Sequence, residues 1–352
     1  MDKMTALIGM SGGVDSSVAA WMMLQQGFSC QGLTLQLHDF GCGGAKDALD
    51  ARAVAERLGI CHETLSAKDA FEAHVIRDFV QSYESGLTPN PCIQCNNHLK
   101  FGLMLRWGVE NGWNYVVSGH YARIRQDEHS GRYLLYKAAD STKDQTYFLA
   151  GLNQQQLSHI LFPLGELTKA EVRNIAQQQG FLTARKRDSQ DICFIPGGDY
   201  AAFLRSYTRK EYPEGSYLDL QGNVVGRHKG TVCYTIGQRK GLGLAMGAPV
   251  YVCSKDMEKN TVTVGPNEAL FSKALRAKDW NWIPFPILTE PLKVTAKIRH
   301  SQTDLAATVY PEENGFARVE FENPQRAVTP GQAVVLYDGS VVIGGGTITQ
   351  AL

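Results

Sequence analysis

The chain has no apolar run approaching the ~18–20 residues that a membrane-spanning helix needs. It is therefore expected to have no membrane partner. Its opening, MDKMTALIGM, leaves too little length before the first turn for a secretory signal, and the expected location is cytoplasmic. Neither sign of charge is in excess: thirty-five Lys and Arg balance thirty-five Asp and Glu. Net charge thus gives no sign of a nucleic-acid partner, and one that binds must meet a local basic patch. No internal repeat or low-complexity segment interrupts the sequence. Eight cysteines in a reducing compartment are poor grounds for structural disulfides. Cys30, Cys61, Cys233 and Cys253 lie in or beside apolar, strand-like runs and read as small core residues.

What is present is a globular composition, 43% hydrophobic and 20% charged, over 352 residues. That length is too great for one ordinary core and predicts two or three domains. The first half alternates strand and helix signals. TALIGM, QGLTLQL and GICHETL read as strands; Asp15 to Gln26, Asp47 to Leu58 and Ala70 to Tyr83 have apolar residues at helical spacing. This order predicts a parallel sheet with helices on both faces and a ligand site at the carboxyl ends of its strands. Thr168 with Glu171 three residues on is a capping box that starts another helix. Beyond about Tyr207 the pattern becomes strand–turn–strand, with Asp338-Gly339 a strong hairpin turn, and the tail reads as all-β. DWNWIPFPILTEP (279–291) reads as an irregular linker.

GMSGGVDSSVAAW follows the first strand and opens the first helix. A helix start offers unpaired N–H groups and partial positive charge. Gly12 and Gly13 permit close approach to an anion, and Ser11, Ser16 and Ser17 add hydroxyls. The loop has no lysine, so it is neither a Walker A loop nor a G-x-G-x-x-G fingerprint. Asp15 would repel a bare phosphate, which suits it to holding Mg²⁺ or bracing the loop. TPNPCIQCN contains a second motif, Cys92-x-x-Cys95. From spacing alone it is half a metal site, a redox pair, an iron–sulfur corner or catalytic sulfur. Cys95 is expected near a helix N-terminus, where the thiol pKa falls.

SGGVDSS resembles the signature of the PP-loop ATP pyrophosphatases, which cleave ATP to AMP and pyrophosphate while adenylating a substrate. TPNPCIQCN, SGHYAR, KDQTYFL, DSQDICFI, TIGQRKGLG and TPGQAVVLY then occur in order, and together they resemble the tRNA-specific 2-thiouridylases over nearly the whole chain. The resemblance implies a Rossmann-like PP-loop α/β domain (1–190), a small central tRNA-binding domain (191–267) and a C-terminal β-barrel (268–352). It implies ATP and Mg²⁺ as cofactors, tRNA as substrate, and a sulfur carrier or cysteine desulfurase as persulfide donor. ATP-binding positions are Gly9, Met10, Ser11, Gly12, Gly13, Val14, Asp15, Ser16, Leu35 and Gly119. Asn90, Pro91 and Cys92 match the segment that meets the target base. His120, Lys143, Asp144, Gln145, Arg299, His300 and Gln332 match tRNA contacts. Cys193 is the expected persulfide carrier and Cys95 its partner, with a transient disulfide between them. Cys92 replaces the aspartate of the familiar motif, to which proton transfer is ascribed. With Cys95 and Cys193 it makes a candidate three-thiolate site for a [4Fe-4S] cluster, and Cys42 is a fourth candidate. Two other readings are a metal-binding or iron–sulfur redox protein, which leaves SGGVDSS unused, and a PP-loop synthetase acting on a small metabolite, which leaves the ordered cysteines unused.

Overall fold

A computed structural model of the chain describes residues 3–38, 44–186, 192–195 and 197–352. The apolar strand β1 (Thr5–Gly9) lies in the middle of a parallel sheet, with Ala6, Leu7 and Ile8 fully buried. Beside it run β2 (Ser29–Gln36) and β3 (Cys61–Ser66) on one side, and β4 (Tyr115–Val117) and β7 (Ile160–Leu161) on the other, in the order β3-β2-β1-β4-β7. Helices α1 (Val14–Gln25), α2 (Ala45–Leu58) and α8 (Lys169–Gln178) cover one face through Val18, Ala51, Val54 and Val172. The other face is covered by α6 (Met104–Glu110), through Met104 and Leu105 against Leu7, Leu33 and Val116. The capping box at α8 is present: Thr168 Oγ1 accepts from the Glu171 amide, and the Thr168 amide donates to the Glu171 carboxylate.

The helix expected over Ala70 to Tyr83 is divided. It comprises α3 (Lys68–Phe71) and α4 (Arg77–Glu84), joined by a π-helical segment, Glu72–Ile76. A second π-helical segment, Asn96–Leu103, connects α5 (Pro91–Cys95) to α6. Such segments are rare and concentrate at functional sites. Two more elements of this half, β5 (Ala122–Gln126) and β6 (Tyr133–Lys137), form a hairpin that leaves the parallel sheet. The short α7 (Gln154–Ser158) follows.

After α9 (Tyr200–Thr208) comes a small sheet of β8 (Gly215–Leu218), β9 (Val224–His228), β10 (Tyr251–Asp256) and β11 (Thr261–Gly265), in the order β10-β11-β8-β9. Its core gathers Tyr217, Val252, Val262 and Val264. The tail consists of β12 (Phe271–Trp282), β13 (Leu292–Lys297), β14 (Leu305–Pro311), β15 (Ala317–Arg326), β16 (Ala333–Asp338) and β17 (Val341–Ala351). Strand β12 pairs with both β15 and β17, which closes a barrel and removes the sheet edges. The expected hairpin at Asp338-Gly339 joins β16 to β17, with Gly339 at φ +54°.

Two sequence expectations are corrected. Asp279–Trp282 is not linker but the end of β12, whose Asn281 and Trp282 pair with Gly345 and Gly344. The first half of the chain and the barrel also share a sheet and a core. The β5–β6 hairpin extends the barrel sheet through β6 and β17, and one core holds Phe101, Leu135, Tyr147 and Leu149 together with Val335, Tyr337 and Val342. The four cysteines read as core are not fully buried either: Cys61 is exposed on an outer strand, and Cys30, Cys233 and Cys253 are half-buried. Burial still pushes the Cys30 thiol up to about 11. Among the described residues no helix is long and apolar enough to cross a membrane.

Lys255, enclosed in the central domain with its Nζ donating to the Tyr234 carbonyl, is lowered to about 8 by burial. The unfolded chain therefore binds more protons than the folded one between about pH 8 and 10.5, and stability rises with pH across that window. Relative to Lys255→Met, the native chain should gain up to about 3 kcal/mol between pH 7 and pH 10. Paired thermal or urea unfolding of the two proteins at several pH values checks this.

Candidate active site

The sheet order reverses between β1 and β4, and ligands bind such sheets outside the carboxyl ends of the strands at that point. The loop from Gly9 to Gly13 leaves β1 there, and Gly119 follows β4 there. A Cβ on Gly119 would stand 2.8 Å from the Ser16 amide, so this glycine lets the two strand ends close around the start of α1. Gly12 has φ +63°, and a Cβ on it would meet the Asp47 carbonyl oxygen at 2.4 Å. The loop backbone thus lies against the first turn of α2. Gly13 caps α1 without any side-chain hydrogen bond to the helix amides, which leaves them to an anion. Ser16 Oγ accepts from the Ser11 amide at 3.2 Å and donates to the Gly13 carbonyl. Met10 donates its amide to the Leu33 carbonyl, and its own carbonyl accepts from Thr34, which fixes the loop to β2 near Leu35. These residues fit a nucleotide triphosphate.

Two lysines far away in sequence supply the charge that the loop lacks. Lys169, at the start of α8, reaches both carboxylate oxygens of Asp15 at 2.7 Å, and Tyr121 donates to the same carboxylate at 2.9 Å. Asp15 therefore braces the loop here. Lys186 donates to the Gly12 carbonyl at 3.0 Å, to Asp47 at 2.7 Å and to Asp50 at 2.9 Å. Burial works to lower its pKa, but the two carboxylates outweigh it and the net shift is upward. Sequence reading missed both lysines. LTKAEVR was legible only as a helix start, and nothing local marks Lys186 as a partner of residues 136 and more positions away.

Asn90 caps α5, Pro91 occupies its first turn, and Cys92 and Cys95 follow. Cys92 is exposed; Cys95 is 8% exposed and belongs to a hydrophobic cluster with Phe71, Phe79, Leu99, Phe194 and Leu204. Cys193 and the strand end at Leu35 border the same cluster. The expected fall in the Cys95 pKa is corrected. Cys95 ends α5 rather than starting it, beyond the first turn where the helix dipole acts. Burial pushes its thiol up, against the pull of Lys100. Cys92 is also raised by the protein around its sulfur, with Lys100 again opposing.

Among the described residues no three His, Cys, Asp or Glu side chains come together to hold a metal ion. Cys92 lies on an exposed residue and Cys95 on a buried one, and with Cys193 they do not gather into such a group. The iron–sulfur reading does not fit this arrangement. Cys42 and residues 188–191 of DSQDICFI lie outside the described residues. No disulfide joins Cys95 to Cys193.

Several residues expected to touch tRNA are engaged within the protein. His120 is buried, its Nδ1 2.7 Å from Ser118 Oγ, and burial holds its pKa well below the ordinary value. Asp144 is buried and accepts from the Ala138 amide and from Thr146. Gln145 accepts from the Tyr121 amide. Arg299 donates to the carbonyls of Arg326 and Ala327. His300 is exposed, with its ring 4.4 Å from that of Phe148. Lys143 is half-exposed. Gln332 donates to the carbonyls of Thr88 and Pro89.

An open parallel sheet with a lysine-free Gly-Ser loop at its switch point defines a PP-loop ATP-cleaving enzyme, and the reactive-cysteine motifs beside it narrow the class. Three family models match the chain: the tRNA methyl transferase HUP domain (residues 4–197), the tRNA methyl transferase PRC-barrel domain (201–266) and the aminomethyltransferase beta-barrel domain (272–348). The chain is 48% identical to the tRNA-specific 2-thiouridylase MnmA of Acetivibrio thermocellus, over 99% of this chain and 100% of that protein. It is 45% identical to that of Clostridioides difficile, over 98% of each. It is 47% identical to that of Halothermothrix orenii, over 99% of each. The chain belongs to the tRNA-specific 2-thiouridylase family.

Gly12→Ala should abolish pyrophosphate release in the presence of tRNA, because its Cβ drives the loop off Asp47 and closes the cradle. Circular dichroism should keep the native secondary structure, while the melting temperature falls by a few degrees because Ala at φ +63° against backbone is strained. Pyrophosphate release measured by a coupled assay, beside a melting curve, checks both expectations.

Proposed function

We propose that this chain catalyses the ATP-dependent 2-thiolation of the wobble uridine of tRNA. The observation that carries this reading is the position of two thiols, Cys95 and Cys193, on one hydrophobic cluster that reaches the phosphate-loop edge of the sheet at Leu35. A uracil C2 oxygen is a poor leaving group, so it must first be activated. The C2 oxygen attacks the α-phosphorus of ATP and pyrophosphate departs. The terminal sulfur of a Cys193 persulfide then attacks C2, and AMP leaves. Cys95 attacks Cys193 Sγ, the sulfur–sulfur bond breaks, and its electron pair stays on the thiouridine sulfur. The resulting Cys95–Cys193 disulfide is returned to thiols by an external dithiol. This route needs no iron. Magnesium bound with the nucleotide would neutralise phosphate charge, and Asp15 could hold it only by giving up Lys169.

The substrate is tRNA and the second partner is a persulfide donor, a sulfur carrier or a cysteine desulfurase. The setting we assign is the cytoplasm. Within the domain division 1–190, 191–267 and 268–352, Asn90, Pro91 and Cys92 meet the target base. Raised thiol pKa values suit this order of events. Cys95 stays protonated, and so unreactive, until Lys100 or the bound substrate shifts it. Among the tRNA-contact positions Lys143 is a half-exposed cation suited to a phosphate, and Arg299 donates to barrel carbonyls.

With iron-free, anaerobically prepared enzyme, Cys193→Ser should release pyrophosphate with tRNA yet accept no persulfide. Cys95→Ser should accept persulfide and fail to deliver it. Alkylation trapping with peptide mapping, and mass spectrometry of wobble uridines, distinguish the two. Full thiolation by Cys193→Ser would overturn the assignment.

Since the neutral chain meets tRNA through local patches, affinity should fall with salt. Lys143→Ala should reduce the slope of log affinity against log salt by about one, whereas Arg299→Ala should chiefly lower the melting temperature. Filter binding at several salt concentrations, with melting curves, measures both.

A further inference from the structure

The loop that delivers Cys92 and Cys95 is held from the C-terminal barrel. The Thr88 amide donates to the Pro330 carbonyl at 2.9 Å. Gln332 Nε2 donates to the Thr88 carbonyl at 3.0 Å and to the Pro89 carbonyl at 3.2 Å. Gly331, at φ +91°, brings the barrel backbone so close that a Cβ there would stand 2.8 Å from the Thr88 nitrogen. On its own side Gln332 is fixed: Ile348 of β17 donates to its carbonyl, and the Gly331 amide donates to Ile348. The clamp is thus the barrel turn at residues 330–332, just before β16, gripping a loop two residues before the catalytic helix.

The gripped segment is imperfectly satisfied. Thr88 Oγ1, Asn96 Oδ1 and Asn97 Oδ1 are buried without a hydrogen-bond partner among the described residues. The helix they flank continues into the π-helical segment Asn96–Leu103. Both N–H groups of the Gln332 amide are spent on Thr88 and Pro89, so this amide cannot donate to RNA without releasing the loop.

We propose that Gln332 is a positioning residue that couples tRNA docking on the barrel to the placement of Cys92 and Cys95. In the free enzyme its amide holds the 88–90 loop. When tRNA takes that amide, the loop is released and the catalytic helix moves to the target base. The coupling rests on the thiouridylase reading; the clamp itself does not.

The test uses the full-length enzyme and two variants, Gln332→Met and Gln332→Glu. Both keep the side-chain length, and both lose the two donors. In the absence of tRNA, the rate of Cys95 alkylation by iodoacetamide, resolved by peptide mapping, should rise at least five-fold in both variants. In the native enzyme tRNA should produce a rise of the same kind, and in the variants it should add little. With tRNA, kcat should stay within three-fold of native, because the loop that the native enzyme must release is already free. An unchanged alkylation rate in both variants would overturn the clamp. A tRNA-induced rise in Cys95 alkylation as large in the variants as in the native enzyme would make Gln332 an ordinary RNA contact and overturn the coupling. Should the native enzyme fail to thiolate tRNA at all, the function reading falls, while the alkylation result without tRNA still decides the clamp. Native-like melting temperatures confirm that both variants fold.

Discussion

The close approach of Gly12 to the backbone of Asp47 is the contact on which the site depends. Only a residue without Cβ can hold that φ at that distance, and the contact turns the loop amides outward at the start of α1. It also places Asp47 and Asp50 where one lysine, Lys186, can bind both and the Gly12 carbonyl together. One cation therefore ties the phosphate loop to the first turns of α2. Lys169 does the same on the other side of the loop by neutralising Asp15, which would otherwise repel phosphate.

The two halves of the chemistry share a wall rather than a pocket. Leu35 belongs to the strand edge on which the nucleotide loop opens, and it also borders the cluster that buries Cys95 and touches Cys193. An apolar wall keeps thiols protonated: burial raises both Cys92 and Cys95. For sulfur transfer this is protective, because a thiolate exposed to oxidants is lost.

The barrel is more than an attachment. Its sheet takes in a hairpin of the first domain, its core includes Phe101 and Tyr147 from that domain, and its Gln332 reaches the loop before Cys92. Asp144 and Gln145 brace the first domain on their side of this junction, and Arg299 braces the barrel on the other.

Local chemistry determined much of this protein from sequence. Alternating apolar periods define the parallel sheet, Thr168 and Glu171 define the start of α8, and Asp338-Gly339 defines its hairpin, because each depends on residues within a few positions of one another. The glycine–serine loop and the Cys92–Cys95 pair were legible for the same reason. Their partners were not legible in the sequence: Lys169 on Asp15, Lys186 on Gly12, Cys95 within an aromatic cluster, Gln332 on Thr88. It also misplaced the Cys95 helix start and made a linker of Asp279–Trp282. Those features join residues tens to hundreds of positions apart, and burial and electrostatics act through distance in space, which only the tertiary structure decides.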